Sequence, residues 1–385
     1  MTVKKIALII LVVGLLMGTV AFLSGGVKSI AWVDGKPVAI DESKSEKLIK
    51  VDEEFNSFTD IDVNINVLDK VTVKEGDKFS VKGQNREENG GLKAELVGNK
   101  LVVGPSISNT NTIINLNALN ISNITSREKC DVIITYPKGT ALGNVVIDAD
   151  LSDLEIDGMK AKDININLDT GDGIVKGITS DSLIADVNLG HFDISNSEIG
   201  DFELDIDTGD TKLDEIKAQK TVIKASLGDV ALSNVDLGSA DVAADTGEVS
   251  GHGIKAKDIM MDVNLGDIEI TDTTIEGRSE IDCDTGSFIG DGFKAKDLMM
   301  DVNLGDIEIT NAVIEGNSEI DCDTGNVDIE LVMNKSDVNL STDTDLGNVK
   351  INGEKASAST SVGNNGAKHN ILITVNLGNI SVTFR

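Results

Sequence analysis

The residues best placed to do chemistry are four aspartates, Asp262, Asp282, Asp301 and Asp321, at intervals of 20, 19 and 20 residues. Hard carboxylate oxygens in a regular row suit Ca²⁺, so this row is the candidate metal site. The competing reading is a solvated acidic face, and the glycine-rich nonapeptide of calcium-binding β-rolls is missing. Two residues further on runs a second row, in which Asp207, Asp245, Asp284 and Asp323 alternate with Asn188, Ser226, Asn264 and Asn303. Stacked carboxylates repel, and an amide or hydroxyl between them relieves the repulsion and can hydrogen-bond. That row reads as the electrostatics of a stack. The remaining candidates are weaker. His191, His252 and His369 share neither a repeat position nor a ligand spacing. Asp-Thr-Gly occurs five times, from Asp169 to Asp323; such regular copies make it a turn motif and not the loop of an aspartic protease. Enzymes of β-helical build that cut polysaccharide combine acids with Arg and aromatic platforms. Aromatic residues are 3% of this chain and Arg278 stands alone among the repeats, so the expectation is a protein that is not an enzyme, with no cofactor.

These rows exist because one phrase recurs every 19 or 20 residues: apolar–polar–apolar, then Asp or Asn, then Thr or Leu, then Gly. Its pivots are Asp150, Asp169, Asn188, Asp207, Ser226, Asp245, Asn264, Asp284, Asn303 and Asp323. The two clearest double units, Ala256–Gly286 and Ala295–Gly325, differ at 5 of 31 positions. A fixed period of this size marks a stack whose units bury their apolar faces only against neighbours. Val263, Leu265, Ile268 and Ile270 alternate with Asp262, Asn264, Asp267 and Glu269, which predicts two short strands meeting at a glycine turn, the apolar set inward. The expected fold is all-β: a single-stranded β-helix or β-solenoid with 19–20-residue coils, preceded by an N-terminal transmembrane or signal helix. A sandwich or barrel of hairpins is the competing layout, but such folds rarely hold ten near-equal periods, and no Asn-Gly turn recurs at the pivots.

Just before each pivot lies Leu168, Val187, Ile206, Ala225, Ala244, Val263, Cys283, Val302 or Cys322, an expected apolar ladder inside the coil. Cys283 and Cys322 fall two coils apart, about 9.6 Å at the strand spacing, beyond the ~7 Å that a disulfide bridges. With Cys130 they read as buried thiols.

Beyond the repeats, Met1–Leu23 carries Lys4 and Lys5 before an uncharged run, Ile6–Leu23. Eighteen residues make about 27 Å of helix, close to a hydrocarbon core. A signal anchor, with Trp32 at the interface and the bulk of the chain outside, and a signal peptide cut after Ala21 both fit. The first gives a single-pass protein of a bacterial cell membrane; the second, a secreted one. Residues 24–50 read as a polar stalk and 51–130 as an N-terminal β cap, with Val97-Gly98-Asn99-Lys100 a hairpin turn and 106–126 a loop insertion. Residues 131–330 form the solenoid, and 331–385 its C-terminal rungs and cap.

The formal net charge of −31 excludes nucleic acid, whose backbone selects basic surfaces. It favours cations and cationic peptides. Lys160, Lys162, Lys217, Lys220, Lys255, Lys257, Lys294 and Lys296 predict a lysine stripe along one corner, offsetting the acidic rows or binding anionic glycans.

The repeated apolar-Asp-apolar-Asp-Thr-Gly phrase, the opening Phe58-Thr59-Asp60-Ile61-Asp62-Val63 and the membrane segment together resemble the bacterial putative-adhesin family of β-strand-repeat envelope proteins, over residues 51–385. The resemblance implies an exported β-helical domain of the kind that accompanies envelope-stress systems, and supplies no catalytic residues. Two functions are then expected. One is an anchored, non-enzymatic extracellular rod binding a protein or glycan, as an adhesin or envelope-stress accessory. The other is a modulator binding cations or cationic peptides through the acidic rows.

Overall fold

A computed structural model describes residues 30–33, 36–39, 47–106, 128–363 and 366–385. The segment Met1–Leu23 and loop residues 107–126 lie outside these. Among the described residues no helix is long and apolar enough to cross a membrane.

The chain divides into two compact units. The smaller takes in Met1–Val51, Gly83–Lys93 and Pro105–Asp131. Its described parts include an antiparallel pair, Ile30–Val33 with Lys36–Ala39, that sets Trp32 opposite Pro37. They also include a 3₁₀ turn, Glu87–Asn89, where Lys47 Nζ meets Glu87 Oε1 at 2.8 Å and Arg86 donates to the Glu128 carbonyl at 3.1 Å.

The larger unit is the solenoid, formed by Asp52–Lys82, Ala94–Gly104 and Val132–Arg385. Its pairing is overwhelmingly parallel and, through the repeats, joins residues 19 or 20 apart, for instance Asp262↔Asp282 and Asp282↔Asp301. Sheet hydrogen bonds therefore run from coil to coil. The coils between Ser239 and Lys296 each have three short strands, such as Asp258–Leu265, Ile268–Thr271 and Thr274–Ile275, and each stacks on its equivalents. The third side was not legible in the sequence, because two or three residues are too few to show a period. In earlier coils the strands run on through the bends, as in Gly173–Leu189 and Phe192–Thr208.

Burial follows the strand alternation. The ladder from Leu168 to Cys322 is interior, with every rung at most 3% exposed. Large and small rungs interlock: Phe192 pairs with Gly173 on the preceding coil, where a Cβ would overlap the phenyl ring. Cys283 and Cys322 are buried free thiols separated by Val302. Each faces a glycine carbonyl on an adjacent coil, Gly266 and Gly305, at 3.4 Å, and burial pushes both thiols up to about 11.

Leu265 departs from expectation: it is 54% exposed. The chain turns between Val263 and Ile268, and at a convex corner Asn264 and Leu265 both face out. The turn requires glycine. Gly266 has φ +156°, and a Cβ there would overlap the carbonyl oxygen of Gly247 one coil below. Gly190 stands against Gly171 in the same way. Glycines thus stack directly along one corner.

The chain order at the C-terminal end is reversed. Asn317–Thr324 pairs with His369–Leu377, which in turn pairs with Val338–Leu346. The last strands are inserted beneath a coil made earlier in sequence, which explains the irregular spacing of Asp345 and Asn376. Glu354–Ala356 and Thr360–Val362 pair antiparallel with this outer coil. At the other end Asp60–Gly76 pairs with Ala141–Thr170 and Lys100–Gly104.

Candidate functional site

With the interior filled by packing, the chemistry lies in the outward columns. The four-aspartate row is one of them: Asp262, Asp282, Asp301 and Asp321 are direct parallel partners on four successive coils. The column is capped by Ala243 on one side and Thr374 on the other. Burial, and then neighbouring carboxylates, raise the carboxyls of Asp262, Asp282 and Asp301 above the usual aspartate range. For Asp282 the neighbours include Glu280, Asp262 and Asp301. Among the described residues, no three His, Cys, Asp or Glu side chains converge to hold a metal ion. The fold gathers the row into a column, not a cage.

The pivot column is built differently. Asn188 Nδ2 donates to Asp169 Oδ1 at 2.7 Å, Asn264 to Asp245 at 2.9 Å, Asn303 to Asp284 at 2.6 Å and Asn376 to Asp323 at 2.6 Å. Each carboxylate accepts an amide hydrogen where a second carboxylate would repel it.

A third column begins just after the corner glycine and carries a role that sequence reasoning missed. Backbone N–H groups of Asp172, His191, Glu248 and Ser287 donate to Oδ1 of Asp153, Asp172, Asp229 and Asp267 one coil below. His191 belongs to this ladder, its Nδ1 accepting from Asp210 N at 3.2 Å. His369 Nδ1 accepts from Gly316 N at 3.1 Å elsewhere. Part of the acidic charge therefore closes a turn. The signal was present, since an acid follows six of the nine corner glycines from Gly171 to Gly325, but the order of coils is needed to read it.

Between these two columns runs a ridge. The residue before each corner glycine is Leu on one coil and Thr on the next, as in Leu189, Thr208, Leu227, Thr246, Leu265 and Thr285. Leu189, Leu227, Leu265 and Leu304 are 51–54% exposed.

The expected lysine stripe forms in part: Lys217, Lys255 and Lys294 share one column at every second coil, with Asp236 and Thr274 between them. Lys217 pairs with Glu198, and Asp236 lies between Lys217 and Lys255. Lys220 belongs to another column, paired with Asp201 and Ser239. Acids and neutral residues interrupt every run.

A cleft of about 790 Å³ lies near the C-terminal end, lined by Met299, Glu319, Ser341, Ser361, Asn370 and Leu372 among others. Its amides bond along their own ladder, Asn370 to Asn317 at 2.8 Å and Asn339 to Asn370 at 3.1 Å.

Residues 58–244 and 217–383 each match the Toastrack DUF4097 family. The protein belongs to that family. The two matches overlap, as a repeat allows when a profile can be laid on it in more than one register. No curated protein matches the chain. Among solved structures, a putative adhesin from Bacteroides fragilis is 17% identical, covering 59% of this chain and 98% of its own, with a TM-score of 0.36. A putative cell adhesion protein from Clostridium sporogenes is 11% identical, covering 89% and 100%, with a TM-score of 0.19. The family membership agrees with the resemblance drawn from the repeat phrase.

Proposed function

We propose that this member of the Toastrack DUF4097 family is an exported, non-enzymatic solenoid that works by binding another macromolecule at the cell envelope, as an adhesin or envelope-stress accessory. The observation that carries the reading is the columnar exterior. Its columns repeat with the two-coil period, Asp with Asn and Leu with Thr by turns, which suits an extended partner, whereas a catalytic constellation converges unlike groups on one point. The inward columns are buried apolar side chains, and burial pushes the thiols of Cys283 and Cys322 up to about 11. Lys4, Lys5 and the uncharged run Ile6–Leu23 support export, with the segment retained as a single-pass anchor and the solenoid outside.

The test is capture by the full-length chain from fractionated bacterial envelope, at low and high salt. Retention of a wall polymer or envelope protein at high salt is the expected result. Capture of nothing from any fraction would sink the reading and leave a passive spacer.

A further inference from the structure

The leucine ridge on the glycine corner asks for a partner. Leu189, Leu227, Leu265 and Leu304 stand in one line, each about half exposed, with a Thr between successive leucines. Isolated exposed leucines are ordinary; a straight row repeating every second coil is not. The flanks are acidic on both sides. Asp207, Asp245 and Asp284 of the pivot column lie one residue before the ridge, and Asp210, Asp229 and Asp267 lie beyond the glycines.

The charge decides the occupant. A second copy of this chain would bring acidic columns against acidic columns on a protein of net charge −31, and polyanions or anionic lipid meet the same repulsion. A complementary surface is an apolar stripe with cations on both sides. Spacing then selects its form. Leucines two coils apart recur at about 9.6 Å, while residues i and i+7 of an α-helix recur at about 10.5 Å. An extended strand, repeating at about 6.8 Å for residues on one face, falls out of step at once.

We propose that the leucine ridge is the docking surface for a cationic amphipathic α-helix laid along the solenoid axis, its apolar stripe on the leucines and its Lys or Arg flanks against the two acidic columns. This rests on reading the protein as a binding solenoid and names the class of partner.

The test uses the full-length chain and a synthetic 21-residue Leu/Lys helix, leucines on one face and lysines on both flanks. A scrambled peptide of the same composition and a lysine-only peptide serve as controls. Leu227→Thr/Leu265→Thr/Leu304→Thr keeps the fold, because Thr already occupies this position on the intervening coils; a melt confirms it. At physiological salt the amphipathic helix should bind at least tenfold more tightly than the scrambled peptide, and the triple variant should lose at least tenfold. Lysine-only peptide should bind at low salt alone and ignore the leucine changes. Equal binding of helix and scrambled peptide, no binding of the helix, or binding unchanged in the folded triple variant would overturn the proposal. Envelope capture by the same preparations reports separately on the wider reading, since a wall ligand retained without peptide binding removes only the helix.

Discussion

Two columns on one face of the solenoid, two residues apart along each strand, solve the same problem in opposite ways. In the pivot column from Asp169 onward an amide, or at Ser226 a hydroxyl, separates the carboxylates, and four Asn-to-Asp hydrogen bonds of 2.6–2.9 Å link coil to coil. In the column of Asp262, Asp282, Asp301 and Asp321, four carboxylates follow one another without relief, and three of them are raised by burial and then by carboxylates of this column and its neighbours. Like charges directly opposite destabilise a sheet by roughly 0.2–1 kcal/mol per pair. The solenoid therefore carries one column that holds coils together and one that pushes them apart. An acidic row in a sequence can be either, and the residue on the next coil decides which.

The largest effect should come from the corner on which both columns depend. Gly266→Ala places a Cβ against the Gly247 carbonyl at φ +156° and should cost on the order of 3 kcal/mol, read as a lowered denaturation midpoint. Next, Asn264→Asp converts the relieved column into a copy of the repelling one. Losing a hydrogen bond to a charged acceptor and adding like charge should cost about 2 kcal/mol; an unchanged melt would show that the amides are incidental.

pH sharpens the contrast. In Asp262, Asp282 and Asp301 the folded state holds the proton more tightly than the ordinary aspartate value of about 3.9. Between that value and the raised one, the folded chain binds more protons than the unfolded chain, so stability rises as pH falls through this window. Asp291 and Glu155 act in the opposite sense. Side-chain hydrogen bonds from Asn311 and Thr310 lower the first, and one from Lys70 lowers the second. Their contribution is lost as pH falls through their lowered values. A stability maximum on the mildly acidic side is expected, and it should flatten in Asp282→Asn/Asp301→Asn. Asp282→Asn alone should raise stability at neutral pH by about 0.5 kcal/mol. The smallest effect is that of Ca²⁺ on the repelling column. With no converging ligands, millimolar Ca²⁺ should shift the melt no more than NaCl of equal ionic strength. A larger shift, absent from Asp282→Asn/Asp301→Asn, would make the column an ion site.

Much of this is legible in the residues, unevenly. The 19–20-residue period gives the coil, and alternation gives the buried rungs, Cys283 and Cys322 among them. Alternation fails at Leu265, because a corner turns consecutive side chains outward, and hydrophobicity carries no mark of that turn. The lysine stripe is only partly as expected for a related reason. Lys217 aligns with Lys255 and Lys294, but Lys220, close to it in sequence, stands in another column, so sequence proximity is not adjacency on the rod. The acidic pivots and their amides were readable as a stack, whereas the carboxylate ladder after the glycines was not, since its bonds run to backbone on another coil.

By itself the sequence determined a parallel β-stack, its interior and its acidic exterior, because repeat length and alternation are local properties that each coil expresses alone. Only the tertiary structure decided that the last strands slide beneath an earlier coil, that each coil has a third side, and that leucines line up on a ridge between two acidic columns. Those depend on which coil lies against which. That choice is made by the stacking hydrogen bonds and glycine contacts of residues distant in the chain, and no local pattern contains them.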